Sequence, residues 1–249
     1  MLNKTALLKA AVIGITCACT LTPSWAEEEP MTRMDKILND YNNNYNCGQI
    51  VPMDAVNPAD YSAENLLQGL RLGKETLPLI LGDSMDLGGG TLVYIRQDDQ
   101  WLARIIRMGT SITDVYTNKE HNSYWVFFMH TSEAPGPIEY LYLTQDDAHC
   151  GELYSPADLN QPHWNMEYAN LIAFNIDGKG NGVVQANADL YGYNEKPKTN
   201  WYQYLTDNNG KDWSKALPID KPETAPTGIW QKVETVKPDP ELLKSLTGQ

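Results

Sequence analysis

The stretch that decides the fold runs from Thr91 to Thr144 and reads TLVYIRQDDQWLARIIRMGTSITDVYTNKEHNSYWVFFMHTSEAPGPIEYLYLT. It contains four short runs that are rich in β-branched, aromatic and long apolar residues, a composition that favours strands. Polar turn residues separate these runs. The four predicted strands are Thr91–Arg96, Leu102–Met108, Ser123–His130 and Ile138–Thr144. The sequence therefore predicts a mainly β fold.

Further elements are predicted on both sides of this stretch. Strands are expected at Leu77–Leu81, Leu171–Ile176, Gly182–Ala186, Trp201–Leu205 and Gly228–Val236. Apolar spacing predicts one helix at Met34–Tyr41 and a second at Ser62–Leu72. Asp239 as N-cap and Pro240 at the first helical position predict a C-terminal helix. We expect a mainly β fold that approaches the α+β class. Its antiparallel sheets should form a small propeller-like or sandwich arrangement. Two N-terminal helices and one C-terminal helix should accompany the sheets.

The first 26 residues have the pattern of a secretory signal peptide. Lys4 and Lys9 give a basic start, and Ala10–Leu21 is an apolar run too short to span a bilayer as a helix. Ser24-Trp25-Ala26 is a small-x-small site, which predicts cleavage before Glu27. This indicates a periplasmic or secreted protein. An uncleaved anchor and a lipoprotein are the alternatives.

The residues that follow the signal, 27–249, are expected to form one domain with no membrane span. Cys17 and Cys19 would leave with the signal, so that Cys47 and Cys150 remain. An even pair of cysteines in an oxidising compartment favours a disulfide. We therefore predict a Cys47–Cys150 bridge.

The composition is acidic, with a formal net charge of −13. A charge of this sign argues against nucleic acid and against anionic membrane surfaces as partners. It is compatible with a basic protein partner, with cations, or with solubility alone.

One short segment, Thr206–Trp213, reads TDNNGKDW. It resembles the Asp-box of BNR-repeat and sialidase-like β-propellers, whose pattern is Ser/Thr-x-Asp-x-Gly-x-x-Trp, with Asn208 in place of the aspartate. In that family the box is a structural hairpin and not the catalytic centre. The resemblance therefore implies a hairpin whose tryptophan packs on the turn, and it implies no catalytic residue.

A second resemblance concerns catalysis. Gly82-Asp83-Ser84 after an apolar run resembles the nucleophile block of GDSL-type hydrolases, and Asp146 and His149 fit the later Asp-x-x-His of that family. The resemblance implies Ser84 as nucleophile, His149 as base and Asp146 as the residue that orients it. The strand-rich sequence between them does not fit the βαβ units of that family. The alternative is a polar turn before the triple glycine.

Metal-binding patterns are weak. The loop Asp177–Gly182 resembles part of a calcium loop, but Lys179 occupies a ligand position and a hairpin turn is the preferred interpretation. The four histidines do not cluster at ligand spacing, so no metal and no cofactor are predicted. Paired acids in the turns Asp98-Asp99 and Asp146-Asp147 could serve a glycosidase only if those turns meet.

Tyrosine and tryptophan are abundant, with 14 and 7 residues, against 3 phenylalanines. They are dense around Tyr191, Tyr193, Trp201 and Tyr202, which we predict as binding residues for a glycan or a protein. Ordinary sheet packing is the alternative. The leading hypothesis is an exported, non-enzymatic binding protein, such as an inhibitor or immunity-type protein, that recognises a protein or glycan through an acidic, aromatic-rich surface. The alternative is a secreted hydrolase, either carbohydrate-active or a serine esterase.

Overall fold

Fourteen strands and one helix are seen in a computed structural model, which describes residues 48, 50–53, 58, 67–83, 91–97, 99–106, 110–120, 122–130, 137–144, 146–154, 166–191 and 198–248. The strands are β1 (Ile50–Val51), β2 (Leu67–Leu72), β3 (Glu75–Asp83), β4 (Thr91–Gln97), β5 (Gln100–Ile106), β6 (Thr110–Thr117), β7 (Ser123–His130), β8 (Ile138–Thr144), β9 (Ala148–Leu153), β10 (Met166–Ile176), β11 (Gly182–Tyr191), β12 (Lys198–Thr206), β13 (Leu217–Ile219) and β14 (Gln231–Val236). The helix, α1, is Pro240–Thr247. All described residues belong to one compact unit, Thr32–Gln249.

Ten strands form one antiparallel sheet in the order β1-β5-β4-β3-β2-β14-β6-β7-β8-β9. Two runs of consecutive hairpins, β2 to β5 and β6 to β9, supply most of it. Strand β14, near the C-terminal end of the sequence, joins the two runs, because Glu234–Val236 pairs with β2 and Gln231–Val233 pairs with β6. The sheet is therefore complete only when the C-terminal part of the chain is in place.

Side chains alternate between the two faces of this sheet, as expected for strands. In β7, Tyr124, Val126 and Phe128 face an interior core, whereas Trp125 and Phe127 face an outer aromatic core. The interior core is built from aliphatic and aromatic residues of seven strands, namely Leu70, Leu77, Leu79, Leu81, Val93, Ile95, Val115, Tyr124, Val126, Phe128, Leu141, Leu143 and Val233. Burial on both faces explains why the Ser123–His130 run contains so few polar residues.

The sheet curls so that its two edge strands approach each other. A Cβ placed on Gly48, just before β1, would lie 2.5 Å from the Cβ of Ala148 on β9. Arg104 on β5 donates a 2.8 Å hydrogen bond from its guanidinium to the carbonyl oxygen of Gly48. Burial lowers the pKa of Arg104, and the nearby charges of Asp147 and Asp146 raise it in part. We call this meeting of the two edges the seam.

Two elements cover the outer face of the curled sheet. The second sheet, in the order β10-β11-β12-β13, packs its inner face on β7 and β8 through the outer aromatic core. Helix α1 covers the other half with Leu242, Leu243 and Leu246, which pack near Ile80, Leu92 and Tyr94. The architecture is thus a curled sheet with a packed interior and a different cover on each half of its outer face.

The predicted mainly β, antiparallel class is confirmed. The predicted runs Ser123–His130 and Ile138–Thr144 coincide with β7 and β8. The C-terminal helix is also confirmed, since the Asp239 side chain accepts from the backbone N–H groups of Glu241 and Leu242, and Gly248 ends the helix in a left-handed conformation. Propeller blades would be separate small sheets, whereas ten strands here form one sheet.

The prediction of two N-terminal helices is not supported. Leu67–Leu72, the second half of the predicted helix Ser62–Leu72, is strand β2. The other predicted helix, Met34–Tyr41, lies outside the described residues. Within the residues that the structure does describe, no helix has the length and apolar character needed to cross a membrane.

Candidate functional site

The site that stands out is a cleft beside the β8–β9 pair, and a glycine shapes its floor. Tyr140 on β8 lies directly opposite Gly151 on β9. A Cβ on Gly151 would lie 2.6 Å from the hydroxyl oxygen of Tyr140, so only glycine lets the tyrosine ring lie across the neighbouring strand. Tyr140 is only 7% exposed. The ring is therefore held in one place at the edge of the aromatic core.

The opposite wall of the cleft is the turn that follows β12. The N–H of Gly210 donates to the Thr206 hydroxyl oxygen at 3.0 Å. The N–H of Asp212 donates to Asn208 Oδ1 at 3.1 Å, and the Thr206 hydroxyl donates to the same oxygen at 2.9 Å. Asn209 and Gly210 both have positive φ, which the turn requires and which these residue types tolerate. We call this turn, Thr206–Trp213, the β12 turn.

The β12 turn places Trp213 in the cleft. The Trp213 ring lies 6.3 Å from Tyr140 and 6.1 Å from the buried ring of Trp125, centroid to centroid. Burial, and then the charge of Asp212, raise the pKa of Tyr140, and the neighbouring Trp213 side chain partly offsets that rise. The two aromatic walls of the cleft are thus connected.

Two further tyrosines complete the aromatic lining. The Tyr204 hydroxyl donates to the backbone oxygen of Tyr154 at 2.8 Å, which ties the second sheet to the end of β9. Tyr154 itself is 50% exposed, and its hydroxyl donates to the carboxylate of Glu152. Tyr204 is buried, so Tyr154 is the ring of this pair that presents surface to a ligand.

We call this feature the aromatic cleft; its volume is about 570 Å³. Its lining combines four aromatic rings with charged groups of both signs. The lining residues are Tyr140, Gly151, Glu152, Leu153, Tyr154, Tyr204, Lys211, Asp212, Trp213, Ser214, Lys215 and Ala216. Aromatic walls with a few placed polar groups and a volume of several hundred Å³ are typical of small-molecule sites.

His149 lies behind the cleft and joins β9 to the β12 turn. Its ring packs 4.8 Å from Tyr142 and 5.7 Å from Trp125, centroid to centroid. Burial is the main cause that lowers the pKa of His149, while a hydrogen bond with the backbone of Gly210 and the charge of Asp147 act in the opposite direction. The neutral imidazole is therefore the form that this position favours.

The structure describes Asp146 and His149, two of the three residues of the esterase hypothesis. Ser84 lies outside the described residues. Asp146 is exposed in the β8–β9 turn, and the carboxylate whose charge acts on His149 is that of Asp147. The hydrogen bond of His149 goes to a backbone group, Gly210, instead of to the predicted orienting Asp146.

The predicted binding residues do not share one face. Tyr202 has 0% exposure and points into the aromatic core, 5.7 Å from Tyr204. Trp201 lies on the opposite, outer face of the second sheet, where Lys221 Nζ sits 5.7 Å from its ring centroid. Tyr191 ends β11 opposite Met166, and only its backbone is described. Tyr193 lies outside the described residues.

Cys150 is half-buried on β9 and packs against the interior core. Cys47 lies outside the described residues, so the Cys47–Cys150 bridge stays a prediction. The next residue, Gly48, lies against Ala148, which is two residues before Cys150. The seam therefore places the sequence neighbour of Cys47 beside β9.

The calcium-like loop is the β10–β11 hairpin turn. Asp177 Oδ1 accepts from the N–H groups of Lys179 and Asn181 at 2.8 and 2.9 Å, and Oδ2 accepts from Asn181 Nδ2 at 3.1 Å, so both oxygens are already used within the turn. These bonds, those from Asn181 first, lower the pKa of Asp177. Among the described residues, no group of three or more His, Cys, Asp or Glu side chains could hold a metal ion.

Sequence reasoning singled out the part of the cleft that lies within Thr206–Trp213, namely Lys211, Asp212 and Trp213, but did not predict the cleft itself. It followed the density of aromatics around Trp201 on β12, whereas only Tyr204 of that strand lines the cleft and the other rings come from β8, from the residue after β9 and from the β12 turn. The available signal was the Glu152-Leu153-Tyr154 run just after the tyrosine-rich β8. Nothing local in the sequence brings that run to Trp213.

Comparisons of this chain with family models, with curated proteins and with solved structures found no match.

Proposed function

We propose that this chain is an exported, non-enzymatic binding protein that recognises a glycan in the aromatic cleft. The observation that carries the proposal is the combination of a half-exposed tyrosine, Tyr154, with Trp213 and two carboxylates, Glu152 and Asp212, around one cavity of about 570 Å³. Aromatic rings offer flat apolar faces to the C–H faces of sugar rings, and carboxylates accept hydrogen bonds from sugar hydroxyls.

The cleft is also preorganised for binding. Tyr140 is wedged over Gly151, Trp213 is fixed by the β12 turn, and Tyr204 bonds the backbone of Tyr154. Side chains that are already ordered lose little conformational entropy when a ligand binds. A concave site of this size suits a few sugar units better than the flat surface of a basic protein, which is the other partner that the acidic composition allows.

The test is a titration with neutral and acidic oligosaccharides, namely xylo-, chito- and galacturonate oligomers, followed by tryptophan fluorescence and calorimetry. The expected result is a saturable change with at least one of them. Tyr154→Ala should then weaken binding by about tenfold or more, because a stacking aromatic anchor contributes on the order of 1–3 kcal/mol. Ile172→Ala is the matched control, since Ile172 is also exposed but does not line the cleft.

Loss of binding in Tyr154→Ala with normal binding in Ile172→Ala would support glycan binding in the aromatic cleft. Equal affinity of both variants and the parent protein would place the glycan elsewhere. No saturable change with any of the oligosaccharides would count against the proposal as a whole.

A second candidate is a glycosidase, and one observation favours it: Glu152 and Asp212 line the same cleft. Glycosidases use two carboxylates on either side of the scissile bond. Chromatography of the same oligosaccharides after long incubation tests this directly. If the oligosaccharides are cleaved, and if Glu152→Gln and Asp212→Asn each abolish the cleavage, the function is hydrolysis. If the oligosaccharides stay unchanged, binding without hydrolysis remains the proposed function.

A further inference from the structure

The charged groups of the aromatic cleft differ in whether they already form hydrogen bonds or ion pairs within the protein. Glu152 accepts the hydroxyl of Tyr154, and Asp212 Oδ2 accepts a 3.0 Å hydrogen bond from Asn208 Nδ2. Both carboxylates are therefore engaged within the protein. A carboxylate has about four lone-pair positions, so both groups can still accept from sugar hydroxyls.

The two ammonium groups of the cleft are in a different situation. Lys211 and Lys215 are exposed and line the cleft. Neither forms a salt bridge with any residue that the structure describes, whereas Arg71, Arg96 and Lys232 are paired with carboxylates. A chain with a formal net charge of −13 thus presents two unpaired cations on one rim of its aromatic cleft.

We propose that the ligand of the aromatic cleft is an acidic oligosaccharide, one that carries uronic-acid carboxylates. This inference rests on the proposed function and names the class of glycan. Tyr154 and Trp213 would hold the sugar rings, and Lys211 and Lys215 would pair with the carboxylates of the ligand. Ammonium–carboxylate hydrogen bonds are stronger than neutral ones, so they select the charged sugar over its neutral counterpart.

The negative charge of the whole protein opposes an acidic ligand at long range, and at contact the carboxylates of Glu152 and Asp212 oppose it while the ammonium groups of Lys211 and Lys215 attract it. At 0.15 M ionic strength charges are screened over about 8 Å, so distant acids of the surface contribute little. Each exposed ion pair at contact should change Kd by about 1.5- to fivefold. Two such pairs predict a preference of at most about two- to twenty-five-fold for the acid.

The experiment compares each acidic oligosaccharide with its own methyl ester, which has the same backbone without the charge. The probes are oligogalacturonate, oligomannuronate and hyaluronan oligosaccharides, titrated by calorimetry at 0.15 M salt into the full chain. The variant K211Q/K215Q removes both ammonium groups. Lys179→Gln is the control, because Lys179 is an exposed lysine of the β10–β11 turn outside the cleft.

The expected result is that at least one acid binds more tightly than its ester, and that the ratio of the two affinities falls towards one in K211Q/K215Q but not in Lys179→Gln. Esters that bind as tightly as their acids, or a ratio that the double variant leaves unchanged, would overturn the inference and leave glycan binding standing. If neither acids nor esters bind, this inference fails, and the proposed function fails with it only when xylo- and chito-oligosaccharides do not bind either.

Discussion

Asn208 stands where the Asp-box pattern has an aspartate, and its neighbours give the reason. Its Oδ1 accepts from the N–H of Asp212, as an aspartate oxygen could, but its Nδ2 also donates to Asp212 Oδ2 at 3.0 Å. An aspartate at 208 would place two carboxylates side by side. The amide therefore suits a turn that carries a second acid four residues later.

This account predicts that Asn208→Asp destabilises the protein by about 1 kcal/mol, through the lost hydrogen bond and the new repulsion. Asp212→Asn in the same background should recover most of the loss, because position 212 is then neutral. Urea unfolding of the two single variants and the double variant measures the coupling. Additive effects of the two substitutions would show that the pair does not interact.

His149 predicts a pH dependence. Its folded-state pKa is lowered, mainly by burial, from an ordinary value of 6.5, so the unfolded chain binds the proton more readily. The stability that the neutral ring contributes is complete above about pH 6.5 and is lost as the pH falls through the lower folded-state pKa.

Unfolding free energies measured from pH 7.5 to 5 should therefore decline less steeply in His149→Gln than in the parent protein. The other three histidines and the acidic groups stay the same in both proteins and act as the internal control. Parallel curves would contradict the assignment.

At the scale of single side chains, the sequence could show that Trp201 and Tyr202 point to opposite faces, because strands alternate. It could not show which face is inner, since both carry aromatic side chains. Tyr202 lies in the core because it packs with Ala186 and Tyr204. These contacts form only when the sheet has folded.

At the scale of elements, β2 shows how a helical spacing can arise in a strand. Leu67 faces the core under α1, whereas Leu70 faces the interior core. Successive side chains of a strand point to opposite faces, so residues three apart lie on opposite faces. Leucines three apart therefore lie on opposite sides of a sheet, and the sequence pattern alone cannot distinguish this from one face of a helix.

Strands β6 and β9 were not predicted, for related reasons. In β6 an irregularity between Ile112 and Asp114 breaks the alternation. In β9 the sequence AHCGEL has little strand propensity, and the strand forms because β8 pairs with it and Gly151 accepts the Tyr140 ring. Propensity predicted the strands that are rich in β-branched and aromatic residues, and it did not predict β9, which pairing with β8 imposes.

Strand β14 yields a prediction at this scale, because it alone joins the two runs of hairpins. Val233 is buried in the interior core where β14 pairs with β6. Val233→Ala should lower the free energy of unfolding by about 2 kcal/mol through lost burial and a small cavity. Thr235→Ala, at an exposed position of the same strand, should change it by less than about 0.5 kcal/mol. Equal effects in chemical denaturation would mean that β14 does not pack as described.

At the scale of the whole described fold, the seam replaces a continuous ladder between the first and last strands. The bond from buried Arg104 to the oxygen of Gly48 holds it. Arg104→Met keeps much of the volume but leaves that carbonyl without its donor, which should cost about 1–3 kcal/mol. Arg96→Met removes a more exposed pair with Asp99 and should cost under about 1 kcal/mol. A smaller loss for Arg104→Met than for Arg96→Met in urea unfolding would contradict the role of the seam.

The aromatic cleft also belongs to this scale. It joins the end of β9 to a turn more than fifty residues later in the chain, and packing of the second sheet on the first creates it. Composition indicated a protein rich in tyrosine and tryptophan, and the resemblance at Thr206–Trp213 indicated a turn with an inward tryptophan. Neither the composition nor the resemblance predicts which residues Trp213 contacts.

The most direct test of glycan recognition in the aromatic cleft is the indole N–H spectrum of the ¹⁵N-labelled protein during titration with oligogalacturonate and with xylo- and chito-oligosaccharides. Trp213 lines the cleft, whereas the Trp101 indole donates to Ser245 Oγ at 3.1 Å beside α1. With a saccharide that binds, the Trp213 resonance should move in a saturable way while that of Trp101 stays in place. A saturable shift of Trp101 or Trp201 without Trp213, or no indole shift with any of these saccharides, would contradict the account.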